Sequence, residues 1–169
     1  MKKAFSILAA LAVFSLSVTA QSTFKKDDKL VEGTVSYSKS TGSDAEYSIA
    51  PSLGYMVTDK VAVGVTGEFV KTTSGEVNNF GIFGRCYFLN VGKSLKVFSQ
   101  LNAGRSYDRF ATDLGLGANY FVTKNLALSA SLAQLVSYNT GDGVSNFSVG
   151  FTGVNNPISA AKFGVLYRF

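Results

Sequence analysis

The chain is 169 residues long and its first twenty read as an export leader, so the remainder is enough for one domain. With no His, one Cys and no Trp, it lacks the usual general base, the commonest metal ligand and any intramolecular disulfide, which excludes His-dependent triads and zinc sites. The net charge of +5 includes Lys2 and Lys3 of the leader, the other basic residues are scattered, and only 16% of the chain is charged, so neither a nucleic-acid footprint nor a polybasic lipid patch is expected, while apolar surface must be hidden in an unusual place.

Met1-Lys2-Lys3 forms a positive start, Ala4 to Leu16 an apolar stretch, and Val18-Thr19-Ala20 a small-residue cleavage site before Gln21. Residues 1–20 are therefore expected to be a cleaved signal peptide and 21–169 a single exported domain. No Cys follows the cleavage site, so no lipid anchor is expected. The Lys25-Lys26-Asp27-Asp28-Lys29 run reads as a solvated segment rather than as paired catalytic carboxylates. Beyond Ala20 no apolar run approaches the 18 or so residues of a spanning helix. If this chain crosses a membrane it must do so with strands, and lipid then demands a closed barrel, because every backbone N–H and C=O needs an internal partner.

Strict alternation recurs along the chain in segments of about the 9–11 residues that a tilted spanning strand needs. In the first, Val31, Gly33, Val35 and Tyr37 oppose Glu32, Thr34 and Ser36. The second sets Tyr47, Ile49, Pro51, Leu53 and Tyr55 against Glu46, Ser48, Ala50, Ser52 and Gly54. Val61, Val63, Val65, Gly67 and Phe69 then oppose Ala62, Gly64, Thr66 and Glu68. From Asn79 to Phe88 both faces carry aromatics, and Arg85 decides the orientation, since a cation facing lipid costs up to about 2–4 kcal/mol at the midplane. From Leu95 to Arg105, Leu95, Val97, Leu101 and Ala103 share a face, but Phe98 falls on the other parity, which predicts a bulge or flip. Phe110 to Tyr120 and Leu126 to Ala133 alternate cleanly. The last segment, Ala161 to Phe169, sets Phe163, Val165, Tyr167 and Phe169 against Lys162, Gly164 and Arg168.

A repeat supports the same reading. Tyr55-Met56-Val57-Thr58-Asp59-Lys60-Val61-Ala62-Val63 returns as Tyr120-Phe121-Val122-Thr123-Lys124-Asn125-Leu126-Ala127-Leu128, and Phe88 near the midpoint ends the strand between them. Short turns are expected on that side, and looser connections near Thr41 to Glu46, Thr72 to Val77, Ser106 to Arg109 and Asn139 to Ser145 on the other. Aromatics gather at both strand ends: Tyr55, Phe88, Tyr120, Tyr167 and Phe169 by the turns, Tyr37, Tyr47, Phe69, Phe80, Phe110 and Tyr138 by the loops. Two girdles flanking an apolar band suit a membrane barrel. The final hairpin carries extra residues, read either as a long last strand interrupted near Pro157 or as a structured loop, and too few for two more spanning strands. The expected fold is all-β, an eight-stranded antiparallel transmembrane β-barrel.

The leader, the repeated Tyr-x-Val-Thr hairpin, Phe83-Gly84-Arg85-Cys86-Tyr87-Phe88 and the terminal Phe163-Gly164-Val165-Leu166-Tyr167-Arg168-Phe169 together resemble the bacterial outer-membrane β-barrel domain family, the small barrels of OmpA, OmpX and OmpW type. The resemblance implies residence in the bacterial outer membrane, outer-membrane lipid as surroundings, and a C-terminal signal, Phe163, Val165, Tyr167 and Phe169, read by the barrel-assembly machinery. It covers only the membrane part of OmpA, so no anchoring to the cell wall is expected.

On this parity the charges of the spanning segments, Glu32, Glu68, Arg85, Lys96, Asp113 and Lys162, face the lumen. An eight-stranded interior is only just wide enough for side chains to fill, so these charges are expected to form a hydrogen-bonded plug. A hairpin turning at Ser74 to Gly75 sets Arg85 opposite about Gly64, several rows from Glu68, so partners on other strands are expected. Cys86 reads as a small filler on the lipid face, and Gly115-Leu116-Gly117 as strand packing rather than phosphate binding. No catalytic, cofactor or metal site is expected, nor a nucleic-acid partner, and the chain is expected to be a monomer with a structural or passive envelope role. The alternatives are a narrow channel for small solutes or hydrophobic molecules, a loop-mediated adhesin using Tyr138 to Ala160, and a soluble lipocalin-like barrel of opposite orientation.

Overall fold

Side chains in a strand point alternately to its two faces, so a chain of strands with one apolar face each must curl until those faces share one environment. The computed structural model describes residues 23–38, 46–72, 75–106, 109–141, 144–149 and 161–169. The leader, Pro157 and the 39–45 connection lie outside the described residues. The strands are β1 (Lys29–Ser38), β2 (Glu46–Met56), β3 (Val61–Thr72), β4 (Gly75–Val91), β5 (Leu95–Ser106), β6 (Arg109–Phe121), β7 (Leu126–Gly141), β8 (Val144–Val149) and β9 (Ala161–Arg168). Each of the first seven pairs antiparallel with the next, and β9 pairs with both β7 and β1, which closes the wall. β8 runs along Val136 to Gly141 and β9 along Leu126 to Leu132 of the same β7 edge. The two therefore share one wall position, giving an eight-stranded closed barrel.

Five details differ from the sequence reading. Phe98 lies in phase with Lys96, Gln100 and Asn102 on the inner face of a regular β5, and the register shift is in its partner, between Tyr87 and Leu89. Phe88 does not end β4. It is the extra residue of that bulge, which places both Phe88 and Leu89 on the exposed face while Phe98 points inward. The hairpin after β3 closes with Thr72 opposite Gly75, so Arg85 sits opposite Ala62 rather than Gly64, because moving a pivot by one residue moves the partner by two. The connections are shorter than expected, since Val77 and Asn139 are already in ladders. β4 and β7, at 17 and 16 residues, exceed the roughly 9–11 needed to span lipid.

The repeated sequence makes a repeated turn. In one copy Thr58 Oγ1 accepts the backbone N–H groups of Lys60 and Val61, and Val57 N–H bonds to Val61 O; in the other Thr123 Oγ1 accepts those of Asn125 and Leu126, and Val122 N–H bonds to Leu126 O. A hydroxyl that satisfies two turn amides fixes the hairpin pivot, and the pivot fixes which face every following side chain takes.

The turn end of the barrel interior is apolar. Phe24, Leu30, Met56, Ala62, Tyr87, Phe98, Phe121, Ala127 and Leu166 form one buried cluster. Phe24 lies before β1, yet its ring reaches Tyr87 at 4.4 Å and Phe121 at 5.4 Å. The segment around it is pinned: Asp27 N–H bonds to Met56 O, Met56 N–H to Asp28 O, Lys26 N–H to Asp59 Oδ1, and Arg168 Nη1 to Thr23 O. Asp27 turns the chain with φ 77°. The Lys25 to Lys29 run keeps its side chains largely exposed, as a solvated segment does, but its backbone is pinned across the barrel mouth beside the buried Phe24 ring.

Candidate functional site

The inward positions converge on a layer of charge above that apolar cluster. Glu32 on β1 and Arg85 on β4 meet across the lumen, Arg85 Nη2 donating to Glu32 Oε2 at 2.5 Å, with both side chains 5% exposed. Each nitrogen of the guanidinium and each oxygen of the carboxylate makes a hydrogen bond. Arg85 Nε donates to Gln100 Oε1 (2.7 Å) and Nη1 to the Tyr87 hydroxyl (3.2 Å), Asn119 Nδ2 donates to the same hydroxyl (3.0 Å), and the Ser129 hydroxyl donates to Glu32. The guanidinium lies 4.1 Å from the Phe98 ring centre and 5.4 Å from that of Phe83. From Gln100 the chain of bonds continues to Asn102 (2.7 Å) and on to Asp113 (3.0 Å). Five strands, β1, β4, β5, β6 and β7, are thereby tied together through side chains.

Two glycines make this layer possible. A Cβ at Gly64 would lie 2.6 Å from the Phe83 ring, and one at Gly117 would lie 2.4 Å from the Phe98 ring. Their absent side chains are the space that the two aromatics occupy beside Arg85. A second pair lies nearer the loops, where Lys162 Nζ meets Glu68 Oε1 at 2.6 Å and Asn79 Nδ2 meets Glu68 Oε2 at 3.4 Å. Beside it a cavity of about 210 Å³ is lined by Thr66, Glu68, Asn79, Asn102, Asp113 and Lys162, among others. A smaller one of about 70 Å³ lies against Glu32, Arg85 and Phe98.

The six charges singled out from sequence thus fall into three groups: Glu32 with Arg85 and, through Gln100 and Asn102, Asp113; Glu68 with Lys162; and Lys96, 7% exposed, in register with Asn119 near the turn end. Glu68 and Arg85 are not brought together. On the outer face Tyr47, Phe69, Phe80, Phe110 and Tyr138 at the loop end and Tyr55, Phe88, Tyr167 and Phe169 at the turn end are exposed, with Tyr120 half-buried. Phe69 and Phe80 pack edge to face at 6.1 Å, as do Tyr167 and Phe169 at 4.7 Å. The Tyr37 backbone pairs with Tyr47, and its side chain lies outside the described residues. Phe163, Val165 and Tyr167 point outward from β9, Phe169 just beyond it is exposed, and Cys86 is exposed on the outer face. Sequence reasoning missed Phe24, Tyr87, Gln100, Asn119 and Ser129. The inward parity marked all but the first, but nothing local tells a polar lumen residue that binds Arg85 from one that merely faces it. Among the described residues no group of three or more His, Cys, Asp or Glu side chains could hold a metal.

No family model and no curated protein sequence matches the chain. Among solved structures it is similar to a de novo designed transmembrane β-barrel, at 18% identity over 87% of this chain and 99% of that one, with a TM-score of 0.58. It is likewise similar to the N-terminal β-barrel domain of Pseudomonas aeruginosa OprF, at 15% identity over 85% of this chain and 98% of that one, with a TM-score of 0.58. The likeness is one of fold, a small closed antiparallel barrel.

Proposed function

We propose that the chain is an integral outer-membrane β-barrel whose lumen is closed by its own side chains and whose role is structural or passive in the cell envelope. The observation that carries this reading is the inversion of polarity. Glu32, Arg85 and Lys96 are 5%, 4% and 7% exposed inside the wall, while Val35, Ile49, Leu53, Val65, Ile82 and Leu101 are each more than half exposed outside it. A soluble barrel of the lipocalin kind requires the opposite arrangement, and an apolar belt of this extent facing water would be an aggregation surface. Acyl tails remove that penalty.

The same geometry supports closure. An ion pair buried across the lumen and bonded to Gln100, Tyr87 and Ser129 is held by its whole network, and the apolar cluster capped by Phe24 covers the turn end beneath it. The outward alternation of Phe163, Val165, Tyr167 and Phe169 supports recognition by the barrel-assembly machinery, and residues 1–20 support export to it. Membrane fractionation, combined with a mobility difference between heated and unheated samples in detergent gels, tests the placement; recovery of the folded protein from the aqueous fraction without detergent refutes it. In planar bilayers the plug predicts no reproducible single-channel openings, and regular conductance steps refute closure while leaving the barrel intact.

A further inference from the structure

Lysines dispersed along the sequence are gathered by the topology at one end of the barrel. Lys25 and Lys26 lie in the segment across the mouth, Lys29 opens β1, and Lys60, Lys93 and Lys124 stand in the three short turns; all six are exposed. Three carboxylates share that end, and each is engaged locally. Asp28 lies 3.6 Å from Arg168, Asp27 accepts the Tyr55 hydroxyl, and Asp59 accepts the Lys26 backbone N–H. With six lysines and Arg168 against these three carboxylates, the turn end is a ring of net positive charge, although no two of its turns adjoin in sequence.

We propose that this ring binds the phosphodiester headgroups of anionic phospholipids in the leaflet at the turn side. The inference rests on the membrane reading above and adds a lipid preference to it. A lipid suits the geometry better than a partner docked on the end face, because the cations sit beside the outward aromatics. Lys29 is in register with Tyr55 on the outer face, and Lys93 and Lys124 lie in turns that follow the exposed Phe88 and the half-buried Tyr120. Tyrosine and phenylalanine rings settle at headgroup depth, and a lysine stem can lie along such a ring while its ammonium reaches the phosphate. Basic residues clustered at a membrane surface attract anionic lipid, each by about fivefold when close to it, and the attraction is screened by salt.

The test is lipid retention by the full chain reconstituted in nanodiscs of equal phosphatidylglycerol and phosphatidylcholine, read by mass spectrometry of lipids that stay bound on release. The wild type should retain phosphatidylglycerol several-fold over phosphatidylcholine, lose that preference in molar salt, and lose most of it when Lys29, Lys60, Lys93 and Lys124 are all changed to Gln. Arginine at the same four positions should keep it. Equal retention of the two lipids, or a preference untouched by the four Gln changes, overturns the proposal. So does a wild type that binds peptidoglycan sacculi through these lysines without lipid selectivity, since the ring would then serve an acidic polymer. A folded barrel in pure phosphatidylcholine nanodiscs, seen by heat-dependent gel mobility, keeps the membrane reading separate, because that reading fails only if the chain does not insert.

Discussion

At the scale of single residues, the molecule concentrates its risk in Arg85. Its guanidinium is almost wholly buried and is held by Glu32, Gln100 and Tyr87. Removing one partner of a buried pair leaves an uncompensated charge, so Glu32→Leu should destabilise the barrel by about 3–5 kcal/mol in urea unfolding from vesicles. Combining it with Arg85→Met should recover most of that loss, since both charges then disappear. An equal or larger loss in the double variant would show that the side-chain network, rather than charge burial, sets the stability. Gly117→Ala is expected to cost about 1–3 kcal/mol by forcing the Phe98 ring off its place against the guanidinium. Phe24→Ala should cost about 3 kcal/mol, the low end for a buried Phe, because its segment can detach rather than leave a void.

At the scale of elements, the two Thr turns are equivalent in hydrogen bonding, so Thr58→Val and Thr123→Val should each cost about 1 kcal/mol and by the same amount. Clearly unequal losses would mean that the turns are held by something other than the shared hydroxyl. Strand faces were legible from alternation because a period of two has only two phases, and a single charged residue such as Arg85 chooses between them. Element ends were less legible. Antiparallel ladders continue past the apolar band, where polar residues pair as readily as apolar ones, so β4 and β7 run on beyond their alternating cores. Phe98 misled because an apolar ring is expected on the lipid face, whereas it lies in phase with Lys96 and Gln100 and joins the apolar cluster inside the barrel. The candidate site was legible as a set of inward charges but not as pairs, because Glu32 and Arg85 lie 53 residues apart and meet only once the wall is curved. Phe24 carried no signal, as one ring outside any periodic segment has no phase to read.

At the scale of the whole molecule, the outer surface should behave as a solvent-matched layer whose sensitivity depends on depth. Leu101→Arg, in the middle of β5, is expected to destabilise by about 2–4 kcal/mol, whereas Val57→Arg, beside a turn, should cost about 0–1 kcal/mol, both read from folding into vesicles. Equal costs at both positions would argue against a bilayer around the barrel.

The seam between the first and last strands carries a consequence for how the chain must be handled before it matures. Leu30 pairs with Arg168 and Val35 with Phe163, so the cylinder cannot shut until its two most distant segments meet. Until then any partial structure exposes two raw edges, each able to template sticking to a neighbour. A nascent copy stalled short of its final eight residues is therefore a hazard rather than a half-finished product, and escorts that keep the polypeptide open in transit, with proteases that clear truncated copies, are what such an architecture demands of the cell.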